Sequence, residues 1–202
     1  MRRRKLIRLF LIIAVTLAAA LALVPWDCPK RGMAISSDYR QFVLLKNRSD
    51  FPKEQDFDGS VTLPAMLQPG DDRNRWSESR SAAIEGYVLE VVNGGIESAN
   101  CFSLANRDIH IHIGAREDAP PRERVVVEVT PRIREWAARR NIDWSRPTLE
   151  RELTGRWCRF EGWLLFDREH DDESENTAPG RGDNWRATAW EVHPVTDIKV
   201  IR

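Results

Sequence analysis

Cysteine is scarce in this chain of 202 residues, which contains only three. So few cysteines exclude a disulfide-dense scaffold, and none of them falls in the CxxC spacing that is typical of structural zinc sites. A net charge is also missing, because 31 basic residues balance 31 acidic residues. The chain therefore has no overall field that would select a polyanion, which argues against nucleic acid as a partner.

Long apolar runs are equally scarce, and the clear one lies at residues 9–24, after a basic head that starts at Arg2. A basic head followed by such a run is typical of an export signal, with the rest of the chain outside. Ala20 and Ala22 supply a cleavage pattern, whereas Trp26 suits a retained anchor at the membrane interface, so both fates stay open. We expect a signal peptide or membrane anchor at residues 1–27. Residues 6–26 would contact the membrane, and the remainder would be periplasmic or, after cleavage, secreted.

Turn-forming residues interrupt the next part of the chain, residues 28–80. Pairs such as Pro69-Gly70 and Asp71-Asp72 recur, and no long helical period survives them. We predict a partly ordered stalk here, between the N-terminal segment and a folded domain at residues 81–202.

The domain is marked by segments in which apolar and polar residues alternate, as in half-buried strands. In the cleanest of them, Ile109, Ile111 and Ile113 share one face and should point into a core. The predicted strands are residues 84–92, 108–113, 125–130, 155–167 and 185–193.

A helical segment separates the third and fourth predicted strands. Pro131 ends the third strand, and residues 132–141 and 148–153 then show helical patterns. Gly162 interrupts the fourth strand, which indicates a bend or a bulge of the kind that small barrels need. This order predicts a mainly β fold, a five-stranded OB-fold-like Greek-key barrel preceded by an N-terminal hydrophobic helix. A mixed α/β sandwich is the competing architecture, but it would need more crossover helices than the pattern offers.

Four short segments of the domain are similar to segments of a known family. They are DIHI from Asp108, VVEVTPR from Val126, GWLLFD from Gly162 and TAWEVHPV from Thr188. Together they resemble a family of uncharacterised exported bacterial proteins with an OB-fold-like domain, over roughly the last 120 residues. The resemblance implies that the domain lies outside the cytoplasm and folds as a barrel. It implies no particular reaction.

Histidines and carboxylates on the outer strand faces are candidate metal ligands. His110 and His112 share one face of the second strand, and Glu191 and His193 share one face of the fifth. Imidazole and carboxylate groups suit zinc or another divalent metal, and the same groups suit acid–base catalysis. A plain polar outer face is the simpler alternative, because spacing alone does not fix how the strands align.

A ligand face is also predicted, because an OB-fold binds ligands on its second and third strands. Two long loops, residues 93–107 and 168–184, would frame this face. The second loop is acidic, which again argues against a nucleic-acid backbone. We therefore predict a module that binds a small or polymeric ligand, with a metal-assisted, phosphodiesterase- or nuclease-like hydrolase as the alternative. The residues expected on this face are Asp108, Glu128, Arg132, His170 and Trp185.

Two cysteines in the domain, Cys101 and Cys158, are candidates for a disulfide in an oxidising compartment. Cys158 falls on the predicted core face, whereas Cys101 falls in a loop. Two separate buried thiols are the alternative, and the sequence leaves the choice open.

Overall fold

The computed structural model describes residues 27–202, so the hydrophobic helix expected near the N-terminus lies outside the described residues. Within residues 27–202, none of the helices combines the length and apolar character that crossing a bilayer requires. The α-helices are α1 (Ser37–Lys46), α2 (Leu63–Met66), α3 (Pro131–Ala138) and α4 (Arg146–Leu153). The strands are β1 (Ser81–Asn93), β2 (Ile109–Gly114), β3 (Val125–Val129), β4 (Trp157–Phe166) and β5 (Trp190–Val200).

The five strands close into a barrel in the order β1-β2-β3-β5-β4. Neighbouring strands are antiparallel except for β3 and β5, which run parallel. Closure removes the sheet edges that would otherwise present unpaired backbone groups. The mainly β prediction is confirmed, and the α/β sandwich is excluded because the single sheet closes on itself.

The barrel interior is built from the apolar faces that the alternation predicts. Ile109, Ile111 and Ile113 of β2 are all fully buried in the core, as are Phe160 and Leu164 of β4. Burying one such side chain contributes about 1.5–3 kcal/mol relative to leaving it in water. The inward-facing isoleucines are therefore confirmed as part of the core.

The predicted irregularity at Gly162 is confirmed, since the pairing of β4 with β5 shifts register on both sides of this residue. A Cβ atom at Gly162 would lie 2.2 Å from the carbonyl oxygen of Pro194. Glycine is required here because the β5 backbone approaches too closely for any side chain.

The bounds predicted for the last strand, residues 185–193, are wrong, because β5 runs from Trp190 to Val200. Residues 185–189 instead lie in a loop that polar contacts fix: Arg186 Nε donates to the Thr188 carbonyl at 2.8 Å, and Thr188 Oγ1 donates to Asp72 at 2.6 Å. The polar end of β5 pairs with the charged start of β4, as between Lys199 and Arg159. The predicted segment ends before Pro194, which cannot donate to a strand ladder, but β5 continues through it to Val200.

Residues 28–80 pack against the barrel, in contrast to the stalk that their turn-rich sequence suggests. Helix α1 begins after Ser36, whose side chain accepts a hydrogen bond from the Tyr39 amide. Further along, Val61, Leu63 and Met66 are buried in the same core as the strands. The few apolar residues of this segment are separated by turns, but they converge on one surface of the barrel.

Candidate functional site

The outer faces of β2, β3 and β5 carry a cluster of buried ionisable side chains. The β2–β3 register pairs His110 with Glu128, and the β3–β5 register pairs Val127 with Val192, which sets Glu128 beside His193. His193 Nδ1 lies 3.0 Å from Glu128 Oε2, and His110 Nε2 lies 3.1 Å from Glu128 Oε1. Glu128 therefore stands between two imidazoles.

Three of these residues, Asp108, Glu128 and His193, place one ligand atom each within 4.8 Å of the others. They are 2%, 2% and 0% exposed, and we call them the Asp108–Glu128–His193 cluster. Asn100 Nδ2 donates to Asp108 Oδ2 at 2.9 Å, but Asp108 Oδ1 and His193 Nε2 are buried without a hydrogen-bond partner. Such unsatisfied buried atoms are uncommon and costly. Two carboxylates and an imidazole form a donor set that zinc or manganese accepts.

Glu191 and Arg186 hold the His193 ring in position. His193 Nδ1 lies within hydrogen-bond distance of Glu191 Oε2, at 3.2 Å, and Arg186 Nη2 donates to Glu191 Oε1 at 2.6 Å. A carboxylate on one ring nitrogen is the usual way in which proteins orient a metal-ligating histidine. This arrangement leaves Nε2 as the imidazole nitrogen without a partner.

Helix α1 adds a buried ammonium group to the same face. Lys46 is 3% exposed, and its Nζ lies 2.5 Å from Glu97 Oε2 and 3.5 Å from Glu169 Oε2. Burial alone would lower the pKa of Lys46, but the Glu97 and Glu128 carboxylates raise it well above its usual value. Lys46 therefore stays charged and offsets part of the negative charge on this face.

The surroundings shift the pKa values of the three cluster residues in different directions. Burial, together with the Glu128 carboxylate, raises the pKa of Asp108 to about 6. Burial also opposes the charge on Glu128, but His110 and His193 hold the pKa of Glu128 well below its usual range. For His193, the carboxylate of Glu128 outweighs the cost of burial and raises the pKa to about 10. Of the two carboxyls in the cluster, Asp108 is thus the one whose charge the surrounding cations stabilise less.

The structure brings together only part of the predicted ligand set. His110 and Glu191 contact members of the cluster, and His193 belongs to it, but His112 packs against Trp185 with ring centroids 5.6 Å apart. Burial lowers the pKa of His112 to about 4, which keeps this ring neutral. Of the predicted set, His193 therefore belongs to the Asp108–Glu128–His193 cluster, His110 and Glu191 contact it, and His112 lies outside it. The reason is the barrel order: β3 lies between β2 and β5, so Glu128 occupies the space between their histidines.

The predicted ligand face is covered at its centre. Asp108 and Glu128 are almost wholly buried, and Arg132 is half-buried, with its guanidinium donating to the Cys28 carbonyl at 2.5 Å. The chain that begins at Cys28 and continues through α1 lies over this part of the barrel. A ligand cannot reach these residues while that segment stays in place.

The other two residues expected on the ligand face meet at its edge. Trp185 packs against His112 and also against His170, with ring centroids 5.5 Å apart in the second pair. His170 Nδ1 lies 2.5 Å from Asp167 Oδ2, and this hydrogen bond raises the pKa of His170 to about 9. Trp185 and His170 remain partly exposed, so this edge is the accessible part of the predicted face.

Of the two alternatives left open for Cys101 and Cys158, a disulfide between them is excluded, because Cys101 forms its disulfide with Cys28. Cys158 is a buried free thiol in the barrel core. The disulfide fixes the start of the covering segment close to Asn100, which contacts the cluster.

Sequence reasoning missed the residues that support the cluster from outside the strands. Asn100 ends a short 3-10 helix (Ser98–Asn100) between β1 and β2, Arg186 lies in a loop, and Lys46 lies in the segment predicted to be a stalk. Only the polar character of these positions is visible in the sequence, and polar loop residues are ordinarily solvated. Their burial depends on the fold of residues 28–80.

Comparison of the sequence with models of protein families gives no match, and a search of curated proteins gives none either. The resemblance to exported bacterial proteins therefore stays a prediction.

Proposed function

We propose that this protein is an OB-fold-like module that works outside the cytoplasm and binds a divalent metal ion, zinc or manganese. The strand order β1-β2-β3-β5-β4, with helix α3 after β3, supports the OB-fold-like assignment. The Cys28–Cys101 disulfide supports an oxidising compartment, in agreement with the basic head and apolar run of the N-terminus.

The observation that carries the metal proposal is the convergence of Asp108, Glu128 and His193 with ligand atoms left unpaired. Asp108 Oδ1 and His193 Nε2 lack hydrogen-bond partners although both are buried. A divalent ion held by the cluster would bind an oxygen of Asp108 and a nitrogen of His193, which would release its proton on binding, and it would neutralise the Asp108 carboxylate. Asn100 and Glu191 would orient two of the ligands, as residues behind metal ligands commonly do.

Burial favours a binding role for this metal over a catalytic one. A catalytic metal keeps a coordination position that water and substrate can reach. Here the three side chains are at most 2% exposed, and the segment from Cys28 through α1 covers them. The hydrolase alternative would require that segment to move away. A small or polymeric ligand would instead bind around the edge formed by Trp185 and His170.

Metal titration of the full-length protein tests the proposal. The protein is purified in detergent, stripped with chelator and titrated with zinc and manganese, with melting temperature followed alongside. We expect about one ion per chain and a higher melting temperature, since an ion bound only by the folded state stabilises it. The variant Asp108→Asn keeps an oxygen that can accept from Asn100, and it should bind the ion at least about tenfold more weakly.

The variant His112→Gln is the matched control, because His112 belongs to the set predicted from sequence but lies outside the cluster. It should bind the ion as the unmodified chain does. Equal loss of affinity in both variants would refute the assignment of the ligands. The metal site would be refuted if the unmodified chain bound no ion and chelator left its melting temperature unchanged. The cluster would then be a network of buried charges that neutralise one another.

A further inference from the structure

Exposed apolar side chains are concentrated in two adjacent segments of the protein. Eight large apolar residues are exposed in residues 27–202, and five of them lie in two short neighbouring segments. Their exposed fractions range from 50% to 93%. Clustered exposure of this kind marks an interaction surface, whereas scattered exposed residues do not. We call the five residues the apolar face, and they are Met33, Ile35, Ile96, Phe102 and Leu104.

The two segments of the apolar face are tied together. The Cys28–Cys101 disulfide joins them at one point, and the Met33 amide donates to the Ser98 carbonyl at 2.9 Å. The Ser98 hydroxyl donates to the Tyr39 hydroxyl at 3.2 Å, which links the loop to α1 as well. The apolar face is therefore one fixed surface, at the end of the barrel where β1 leads into β2.

We propose that the apolar face lies against the surface of a lipid bilayer that contains anionic headgroups. The first argument is its place in the chain, since the apolar run at residues 9–24 ends only four residues before Cys28. Four residues span at most roughly 14 Å, so a run inserted in a membrane keeps Cys28 and its disulfide partner at the membrane surface.

Charge supplies the second argument. Lys30 and Arg31 are exposed between Cys28 and the apolar face, whereas the exposed acidic residues of the same stretch, Asp27 and Asp38, lie before Cys28 and after Ile35. Basic residues beside exposed apolar ones are the combination that binds anionic membrane surfaces, with each basic residue attracted to the headgroups. Phe102 and Leu104 would then enter the boundary between headgroups and acyl chains.

This arrangement fixes the orientation of the barrel on the membrane. The connection between β2 and β3, which carries Glu117, lies at the end of the barrel opposite the β1–β2 loop. Glu117 is exposed, and it should face water, away from the bilayer. The inference does not depend on the metal site, which lies in the wall of the barrel.

Spin-label accessibility in vesicles tests the orientation. The full chain carrying Leu104→Cys is labelled with a nitroxide without reductant and reconstituted into vesicles of phosphatidylcholine and phosphatidylglycerol. The matched control is the full chain carrying Glu117→Cys. Cys158 is buried in the core and burial raises the pKa of its thiol to about 11, so it should not take up label.

We expect the label at position 104 to be relaxed by membrane-soluble oxygen and shielded from a water-soluble nickel chelate. The label at position 117 should show the reverse. Equal access of the nickel chelate to both positions would overturn the proposal. Magnetic coupling between nitroxides at position 104 of two chains, if it disappears on dilution with unlabelled chain, would also overturn the proposal. It would show that a second copy of the protein covers the apolar face.

Discussion

Glu128 is the residue on which the polar cluster depends. Its two oxygens lie within 3.1 Å of His110 and His193, and its burial makes those contacts strong. The alternation in β3 predicts that the side chain at position 128 is polar and points away from the barrel core, but it does not predict that this side chain is buried. The strand register and the covering segment decide that, and both depend on contacts between distant parts of the chain.

His170 provides a test of the electrostatics at single-residue resolution. Its hydrogen bond with Asp167 raises the pKa of His170 to about 9, whereas the pKa of an unperturbed histidine is about 6.5. Protonated His170 thus contributes stability that is complete below about pH 6.5 and is lost as the pH rises through about 9. Denaturant unfolding of the protein and of His170→Gln from pH 6 to pH 10 should show a steeper loss of stability in the unmodified chain.

The control for this experiment is His112→Gln, because burial keeps His112 neutral over the same pH range. It should retain the pH dependence of the unmodified chain between pH 7 and pH 10. An NMR titration that places the midpoint of the His170 imidazole near pH 6.5 would contradict the prediction.

At the level of elements, the sequence predicts the strands of the barrel better than their neighbours. β1 to β4 follow from alternation, since one face of each enters a continuous core. β5 is misplaced because the predicted segment starts five residues early and stops before Pro194, and α1 and α2 are missed because turns separate their apolar residues. The disulfide partner of Cys101 is missed for the same reason, since Cys28 belongs to that segment.

Gly162 should be essential to the pairing of β4 with β5. The change Gly162→Ala places a Cβ against the Pro194 carbonyl oxygen, and we expect a loss of roughly 1–3 kcal/mol in the free energy of unfolding. Gly182→Ala is the matched control, because nothing lies within 4 Å of a Cβ at that position. Denaturant unfolding of both variants measures the difference, and equal stability of the two would contradict the close approach of β5.

The Cys28–Cys101 disulfide should hold the covering segment on the barrel. In the chain-entropy model, a loop closed over 73 residues stabilises the folded state by about 4 kcal/mol. The double change Cys28→Ser with Cys101→Ser should therefore lower the melting temperature and increase hydrogen exchange in α1. Cys158→Ala is the control that keeps the disulfide, and peptide mapping that finds Cys101 joined to Cys158 would contradict the structure.

At the scale of the whole molecule, residues 28–80, the barrel and the long loops form one unit around a buried polar cluster. The segment that hides the cluster from solvent also makes its charges interact strongly, because burial removes screening by water. The sequence predicts the barrel and names most of the ionisable residues on its outer wall. It does not predict which of them converge, because convergence requires the barrel order and the fold of a segment with no regular pattern.

The most direct test of the proposed metal site is anomalous X-ray diffraction from crystals of the protein grown with zinc and measured at the zinc absorption edge. The proposal predicts a peak within about 2.0–2.2 Å of an oxygen of Asp108, an oxygen of Glu128 and a nitrogen of His193. Crystals of Asp108→Asn grown in the same way should show a weaker peak or none. A map without a peak among these three side chains would contradict the proposal.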